Sequence, residues 1–230
     1  MLVTIHQPNY MPWPGFFHKW MTSDAFVILD TVQYHKNEWQ NRNRIKTVQG
    51  ACWLTVPVHY RFPQRIVEVT IADTSWARKH CGTIEQAYAK APYFDAYWPE
   101  ILRLLQQTWS NLADMNTALI RLLGGFVGCR APLYRSSEMD VDEEDPSMRL
   151  VRLTRALDGD GYLSGQEGRH YLDTGCFPEH GVDLWFQRVE PPVYPQLHGE
   201  FIPYLSVLDL LFNVGPEAAR VIWSMGGVSR

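Results

Sequence analysis

The first 30 residues place two short apolar runs on either side of a turn-rich segment. Residues 2–5 (LVTI) are largely β-branched, and residues 6–15 (HQPNYMPWPG) carry three prolines and a closing glycine. Residues 15–23 (GFFHKWMTS) read as a short helix, and residues 25–30 (AFVILD) form a continuous apolar run that ends in an aspartate. Strand, loop, helix and strand in this order predict a βαβ unit with parallel strands and a right-handed crossover. Continuous apolar strands are typical of sheets covered on both faces, so we expect an α/β fold with a mostly parallel sheet.

The rest of the chain predicts helical middle and C-terminal parts within a single α/β domain, residues 1–230, with a helical subregion at about 75–128. Residues 31–50 are expected to be a polar loop. Further strands are expected at 52–58, 65–72, 162–164 and 182–190, and helices at 75–91, 99–108, 111–127, 147–161, 205–213 and 216–225. The acidic run at 140–145 favours a solvated loop over a metal site, because the spacing and the glycine of a calcium loop are absent.

Composition narrows the range of partners. The 230 residues include 46% apolar and 20% charged side chains with a formal net charge of −4, which gives no general case for binding nucleic acid or an anionic membrane. The four cysteines are widely spaced without a CxxC pair, which indicates reduced thiols and no zinc framework. No apolar run approaches the roughly 20 residues that span a bilayer, and the N-terminus lacks the features of a signal peptide. We therefore expect a soluble, cytoplasmic protein without membrane insertion.

Two polar residues follow the first two predicted strands, at the edge where parallel sheets bind ligands. His6 is the candidate general base, because the ordinary pKa of histidine, near 6.5, lies close to working pH. Asp30 is the candidate partner that would orient the imidazole. The alternatives are a His6 that caps the following loop and an Asp30 that forms a structural ion pair with a nearby cation.

A set of hydrogen-bonding side chains surrounds this pair in sequence and is predicted to bind substrate. Its members are Gln7, Asn9, Tyr10, Gln33, Tyr34, Lys36, Asn41, Arg42 and Arg44. Arginine can clamp a phosphate or carboxylate with two N–H groups, which would suit an anionic donor. The same residues could instead fasten a loose segment to the sheet, and the basic residues beside Trp39 could contact RNA.

The segment SGQEGRHY forms a second candidate site. Gly165 and Gly168 would let backbone amides approach an anion, Arg169 would add a counter-charge, and Tyr171 would add a hydroxyl. A plain tight turn is the alternative. His198, on a proline-stiffened loop, is a second candidate acid or base, with a surface histidine as the alternative.

Several catalytic patterns are missing from the chain. No GxSxG, HExxH or SxxK motif occurs, and no DxD pattern stands out from the acidic run at 140–145 or from the glycine-containing helix end at 158–161. This argues against serine nucleophiles, metal hydrolysis and manganese-dependent glycosyl transfer. A direct-displacement transferase needs only positioning, a base and donors aimed at developing charge. The residues named above could carry out such a transfer without a metal or a cofactor.

Long motifs in this chain resemble those of the WbqC-like protein family of bacteria. They are IHQPNYMPWPGFF, FVILDTVQYHKNEWQNRNRIK, WLTVPV, YLSGQEGRHYLD and PVYPQLHGEFIPYLSVLDLLFNVGPE, and they cover almost the whole chain in order. The resemblance implies a cytoplasmic protein associated with O-antigen or other surface-polysaccharide biosynthesis. A group transferase would fit, with an acyl or aminoacyl group passing to an amino sugar or a nucleotide-linked sugar. Its partners would then be small molecules.

Two other functions remain open. A non-catalytic binding or scaffold protein of the same pathway would show exposed aromatic patches and no deep polar pocket joining His6, Asp30 and Arg42. The N-terminal strand, loop, helix and strand also resemble the Rossmann/HUP-like opening of HIGH-motif nucleotidyltransferases. Here Phe16 follows Gly15 where those enzymes have a phosphate-binding histidine, and His18 is displaced, so nucleotidyl transfer and tRNA binding are minority hypotheses.

Overall fold

A computed structural model describes residues 1–230 and shows a mixed α/β protein built on a six-stranded sheet. The strands are β1 (Leu2–His6), β2 (Ala25–Ile28), β3 (Arg42–Thr47), β4 (Gly50–Thr55), β5 (Val58–His59), β6 (Thr70–Ile71), β7 (Leu133–Arg135), β8 (Gly161–Ser164), β9 (Asp183–Val189) and β10 (Gly226–Ser229). The helices are α1 (Pro14–Thr22), α2 (Ser75–Tyr88), α3 (Phe94–Leu105), α4 (Leu112–Phe126), α5 (Pro146–Arg155), α6 (Cys176–Glu179), α7 (Val207–Val214) and α8 (Ala218–Trp223). Short 3-10 helices occupy Ile66–Glu68, Ser136–Glu138, Gln166–His170 and Gly215–Glu217.

The main sheet has the strand order β10-β9-β8-β1-β2-β7. All neighbouring pairs are parallel except β9 and β10, which run antiparallel. The expected mostly parallel sheet is therefore confirmed. β1 and β2 are adjacent and parallel, with Val3 opposite Ala25, and α1 connects them. Pro14 begins α1, where its fixed φ suits the first helical turn.

The sheet is covered on both faces, which explains the continuous apolar strands. Phe26 and Ile28 of β2 join a core of 39 residues that includes Phe16 of α1 and the helices α2 to α4. Val27, one residue along the same strand, joins a second core of 12 residues that includes Leu150 of α5. Alternate side chains of β2 therefore reach opposite layers.

The chain order of the strands reverses at β1. From β1 it passes to β2 and later β7 on one side, whereas β8 and β9 lie on the other side. In open parallel sheets such a switch point opens a crevice outside the carboxyl ends of the strands.

Three local predictions are wrong. Residues 65–72 do not form one strand, because Ile66–Glu68 is a 3-10 turn and only the short strand β6 follows it. Ile66 and Val69 are both buried, and their separation of three residues matches the period of a 3-10 helix. The polar stretch at 31–50 contains β3, which pairs with β4 in a hairpin outside the main sheet. The helix expected from residue 99 begins at Phe94, so that Pro99 lies inside it.

None of the helices has the length and hydropathy required to cross a bilayer.

Candidate functional site

A cavity of about 920 Å³ lies at the carboxyl ends of the central strands, where the strand order reverses. Ile5 and His6 of β1 line its floor, Leu29 follows β2, Gly165 follows β8, and Gln187 comes from β9. This volume lies near the upper end of the roughly 300–1,000 Å³ that is usual for ligand sites. The predicted position of the site is thus occupied by a cavity large enough for a small-molecule substrate.

Lys19 contributes a buried amine to this cavity. It belongs to α1 and is 3% exposed, and its Nζ donates to the backbone oxygen of Ile5 at 3.1 Å. No carboxylate forms an ion pair with it among the salt bridges of the protein. Burial lowers the pKa of the Lys19 ammonium from 10.5 to about 7. At neutral pH a substantial fraction of the amine is therefore free to accept a proton.

His6 lies beside Lys19 but is held as a neutral imidazole. Its Nδ1 donates to the backbone oxygen of Gln7 at 3.0 Å; since a carbonyl only accepts, the proton is on Nδ1 and Nε2 keeps its lone pair. The ring packs edge-on against Phe16 with 4.7 Å between the centroids. Burial, with the positive charge of Lys19 as a second cause, lowers the pKa of His6 to about 3. His6 is thus better suited to accepting a hydrogen bond than to carrying a proton at pH 7.

Asp30 does not contact His6. Its buried carboxylate accepts from Arg135, with Nη2 at 2.7 Å and Nε at 2.8 Å from Oδ2. The Ser136 hydroxyl, the Ser137 amide and the Ser137 hydroxyl donate to the same carboxylate at 2.8–2.9 Å. The expected His6–Asp30 pair is therefore absent, and Asp30 instead joins the end of β2 to β7, which is the structural ion pair named above as the alternative.

The segment after β8 and α5 supply another part of the cavity lining. Gly165, Gly168 and Tyr171 all line it, as does Gln33 from the segment after β2. A Cβ on Gly168 would lie 2.0 Å from the hydroxyl oxygen of Ser164, so this position accommodates only glycine without a shift. Arg149 of α5 adds a second cation, and its Nε donates to the Glu143 backbone oxygen at 2.7 Å. The larger cavity is therefore lined by Lys19 of α1 and Arg149 of α5, two helices that pack in different core clusters.

The donor-rich segment around Asn41 lies on or beside the β3–β4 hairpin and does not line the larger cavity. The Asn41 amide donates to the backbone oxygen of Val56 at 3.0 Å. The guanidinium carbons of Arg42 and Arg44 lie 4.4 Å and 5.6 Å from the ring centroid of Trp53. Lys36 is exposed. Asn41 therefore fastens its own segment to the chain at Val56, which was the alternative to substrate binding.

The other predicted residues are also separated from the larger cavity. The Tyr10 hydroxyl pairs with Nδ1 of His80 at 2.8 Å, and Tyr34 is buried against Tyr60 with 5.0 Å between centroids. The guanidinium of Arg169 lies 3.9 Å from the centroid of Phe186. Nε2 of His198 donates to the backbone oxygen of Ala87 at 2.7 Å. These contacts anchor the side chains within the protein.

A smaller cavity of about 330 Å³ adjoins the larger one. His6, Gln7 and His35 line both cavities. The remaining lining consists of Asn9, Glu38, Trp39 and Gln40. Gln7 and Asn9 of the predicted set are therefore brought to the site together with His6.

Sequence reasoning missed Lys19 and Arg149. The signal for Lys19 was its place within the apolar helix pattern FFHKW, where one lysine falls among aromatic residues of the buried side. Arg149 lies far from the first strands in sequence and reaches the cavity only because β8 adds next to β1. No group of three or more His, Cys, Asp and Glu side chains is arranged as a metal site in the described residues.

Comparison with known proteins places these features in a family. The model of the WbqC-like protein family matches residues 7–221. The chain is also similar to the uncharacterized protein Rv1507c of Mycobacterium tuberculosis (strain ATCC 25618 / H37Rv), with 39% identity over 221 residues, which cover 94% of this chain and 95% of that protein. The matched region begins one residue after His6 and includes the cavity residues Gln7, Lys19 and Arg149. The chain therefore belongs to the WbqC-like protein family.

Proposed function

We propose that the protein is a group transferase that passes an acyl or aminoacyl group to the amine of an amino sugar, as a step in making surface-polysaccharide precursors in the cytoplasm. The observation that carries the proposal is the buried, carboxylate-free amine of Lys19 in a 920 Å³ cavity at the carboxyl ends of the strands. A purely structural protein has little use for such an amine, because burying an unpaired charge is destabilising. The polysaccharide pathway is taken from the family resemblance.

In the proposed reaction the acceptor amine attacks the carbonyl carbon of a thioester or ester donor. A C–N bond forms and the C–S or C–O bond of the donor breaks. The Lys19 amine accepts the proton that the acceptor nitrogen loses, and the resulting ammonium returns it to the departing thiolate or alkoxide. A base with a pKa near the working pH suits both transfers.

His6 and Arg149 would position the reactants. Nε2 of His6 keeps a free lone pair next to Lys19 and can accept a hydrogen bond from the attacking amine. Arg149 also lines this cavity and suits a phosphate or carboxylate of the donor, because a guanidinium can bind either group through two N–H donors. In this mechanism Lys19 is the base and His6 is a hydrogen-bond acceptor.

The test is to incubate the protein with acyl-CoA thioesters or aminoacyl-tRNA and with nucleotide-linked amino sugars, and to detect the product by mass spectrometry. We expect transfer by the wild type and a loss of roughly 100-fold or more in kcat for Lys19→Met. Lys19→Arg should be equally inactive, since arginine does not give up its proton. Lys90→Met, at an exposed lysine, is the matched control and should retain full activity.

Two results would contradict the proposal. Full activity of Lys19→Met would remove the base assignment. Donors and acceptors that raise the melting temperature of the wild type without any transfer would favour the binding-protein alternative, because a ligand selective for the folded state stabilises it whether or not it reacts.

A further inference from the structure

The smaller cavity differs from the larger one in charge. It is lined by Glu38, two histidines and three side-chain amides, and by no lysine or arginine. An anionic ligand would therefore meet one carboxylate and no fixed positive charge. A neutral polyhydroxyl ligand or one carrying an ammonium group fits this lining better.

Trp39 provides a flat apolar surface at the edge of this cavity. Its side chain is 41% exposed, and its backbone oxygen accepts from the Tyr10 amide at 2.8 Å. Trp53 supports the ring from the β3–β4 hairpin, with 5.5 Å between the centroids and a tilt of 36°. A supported, partly open indole is suited to packing against the C–H face of a pyranose ring.

The amides supply matching polar groups. Gln40 is 4% exposed, and its Nε2 donates to Oε1 of Gln7. Its own Oε1 is buried without any hydrogen-bond partner in the protein. Asn9, 7% exposed, adds a further amide to the same lining. A buried acceptor without a partner is costly unless a ligand or water group donates to it, and amides pair with both the donor and the acceptor sides of hydroxyl groups.

We infer that the smaller cavity is a saccharide subsite, in which the ring of the amino-sugar acceptor packs on Trp39 and its hydroxyl groups bond to Gln40, Asn9 and Gln7. This inference rests on the proposed function for the identity of the acceptor. Because His6 and Gln7 line both cavities, a ring held on Trp39 can extend its amine toward the larger cavity and Lys19. Glu38 attracts the amine while it is still protonated.

The test measures binding without requiring turnover. Glucose, glucosamine and N-acetylglucosamine are titrated against the full chain by ligand-observed NMR, with uridine as a probe that could stack on Trp39 but has no pyranose ring. We expect saturable binding of at least one saccharide, and a Kd raised by about tenfold or more in Trp39→Ala, which corresponds to roughly 1.4 kcal/mol. Asn9→Leu should weaken binding similarly by filling the cavity. Trp223→Ala, at an exposed tryptophan outside both cavities, is the control and should leave the Kd unchanged.

The outcomes separate the subsite from the transferase. Saccharide binding that depends on Trp39 and Asn9 but persists in Lys19→Met supports the subsite even if no transfer is ever detected. Saturation by none of the three saccharides overturns it, as does binding that survives both Trp39→Ala and Asn9→Leu in folded protein. Binding of uridine alone, lost in Trp39→Ala, also overturns it. If transfer is observed but the acceptor KM is unchanged in both variants, the proposed function stands and the subsite is wrong.

Discussion

Replacing Lys19 by methionine should stabilise the protein, and the gain should depend on pH. In the folded state burial lowers the pKa of Lys19 to about 7, whereas in the unfolded chain it returns to 10.5. Between these two values the unfolded state binds more protons than the folded state, so the wild type becomes more stable as the pH rises. Methionine fills a similar volume and does not titrate, so the comparison isolates the cost of burying the amine.

The magnitude follows from the two pKa values. Each unit of pKa difference corresponds to about 1.4 kcal/mol, so the full cost below pH 7 is roughly 5 kcal/mol. At pH 7, where the folded amine is half protonated, the cost is about 4 kcal/mol, and at pH 9 it is about 2 kcal/mol. Near pH 10.5 it falls below roughly 0.5 kcal/mol. The net gain is smaller by the lost hydrogen bond to Ile5, about 1 kcal/mol at every pH.

The measurement is urea unfolding of wild type and Lys19→Met, followed by tryptophan fluorescence at half-unit steps from pH 7 to 10.5. This range lies above the ordinary pKa of histidine, so the titration of His6 does not enter the difference. We expect the difference in unfolding free energy to fall by about 1.4 kcal/mol per pH unit at the middle of the range. The exposed Lys90→Met should show no such slope. A Lys19→Met protein that is less stable than wild type by the same amount at every pH would refute the assignment of a buried, unpaired amine.

Three further changes test the surrounding structure. Asp30→Asn should lower the free energy of unfolding, measured in urea, by roughly 3 kcal/mol, because it leaves the guanidinium of Arg135 without its main buried partner. A decrease of less than about 0.5 kcal/mol would contradict the structural role. Gly168→Ala should destabilise by about 1–3 kcal/mol through its clash with the Ser164 hydroxyl, and Ser164→Ala in the same chain should recover most of that loss; additive costs in the double variant would exclude the clash. Lys46→Met should increase protease cleavage within residues 190–206, since the Lys46 amine donates to Gln196, Gly199 and Glu200 of that segment; an unchanged cleavage rate would show that other contacts hold it.

The fold was predictable where residue patterns decided the structure locally. The β-branched and apolar runs at 2–5 and 25–30 form adjacent parallel strands because each can be buried on both faces. Prediction failed where the pattern was ambiguous or tertiary contacts decided. β3 is polar along most of its length, and its arginines become strand residues by packing on Trp53 across the hairpin. β7 and β10 are only three and four residues long and exist as additions to an existing sheet edge.

The position of the cavities was predictable, but the set of residues that line them was not. The carboxyl ends of β1 and β2 indicated the edge of the sheet where both cavities lie, and His6, Gln7 and Asn9 are among the residues that line them. The partner of Asp30 could not be read from its surroundings in sequence, because Arg135 is 105 positions away and reaches it only through the pairing of β2 with β7. The basic residues around Arg42 suggested a binding site for an anion, but Arg42 packs on the ring of Trp53 and does not line the larger cavity.

Two buried ionisable side chains, Asp30 and Lys19, have different surroundings, and the difference favours a chemical role for Lys19. The Asp30 carboxylate is satisfied by an arginine, two hydroxyls and a backbone amide, which is what a charge buried for structural reasons requires. The Lys19 amine, in contrast, donates to the backbone oxygen of Ile5, and the residue lines the larger cavity. A methionine at that position would pack equally well without the desolvation cost, so packing alone gives no physical reason for a lysine. A reactive group, in contrast, must keep its lone pair free and face a space that a substrate can enter, and Lys19 meets both requirements next to the imidazole of His6.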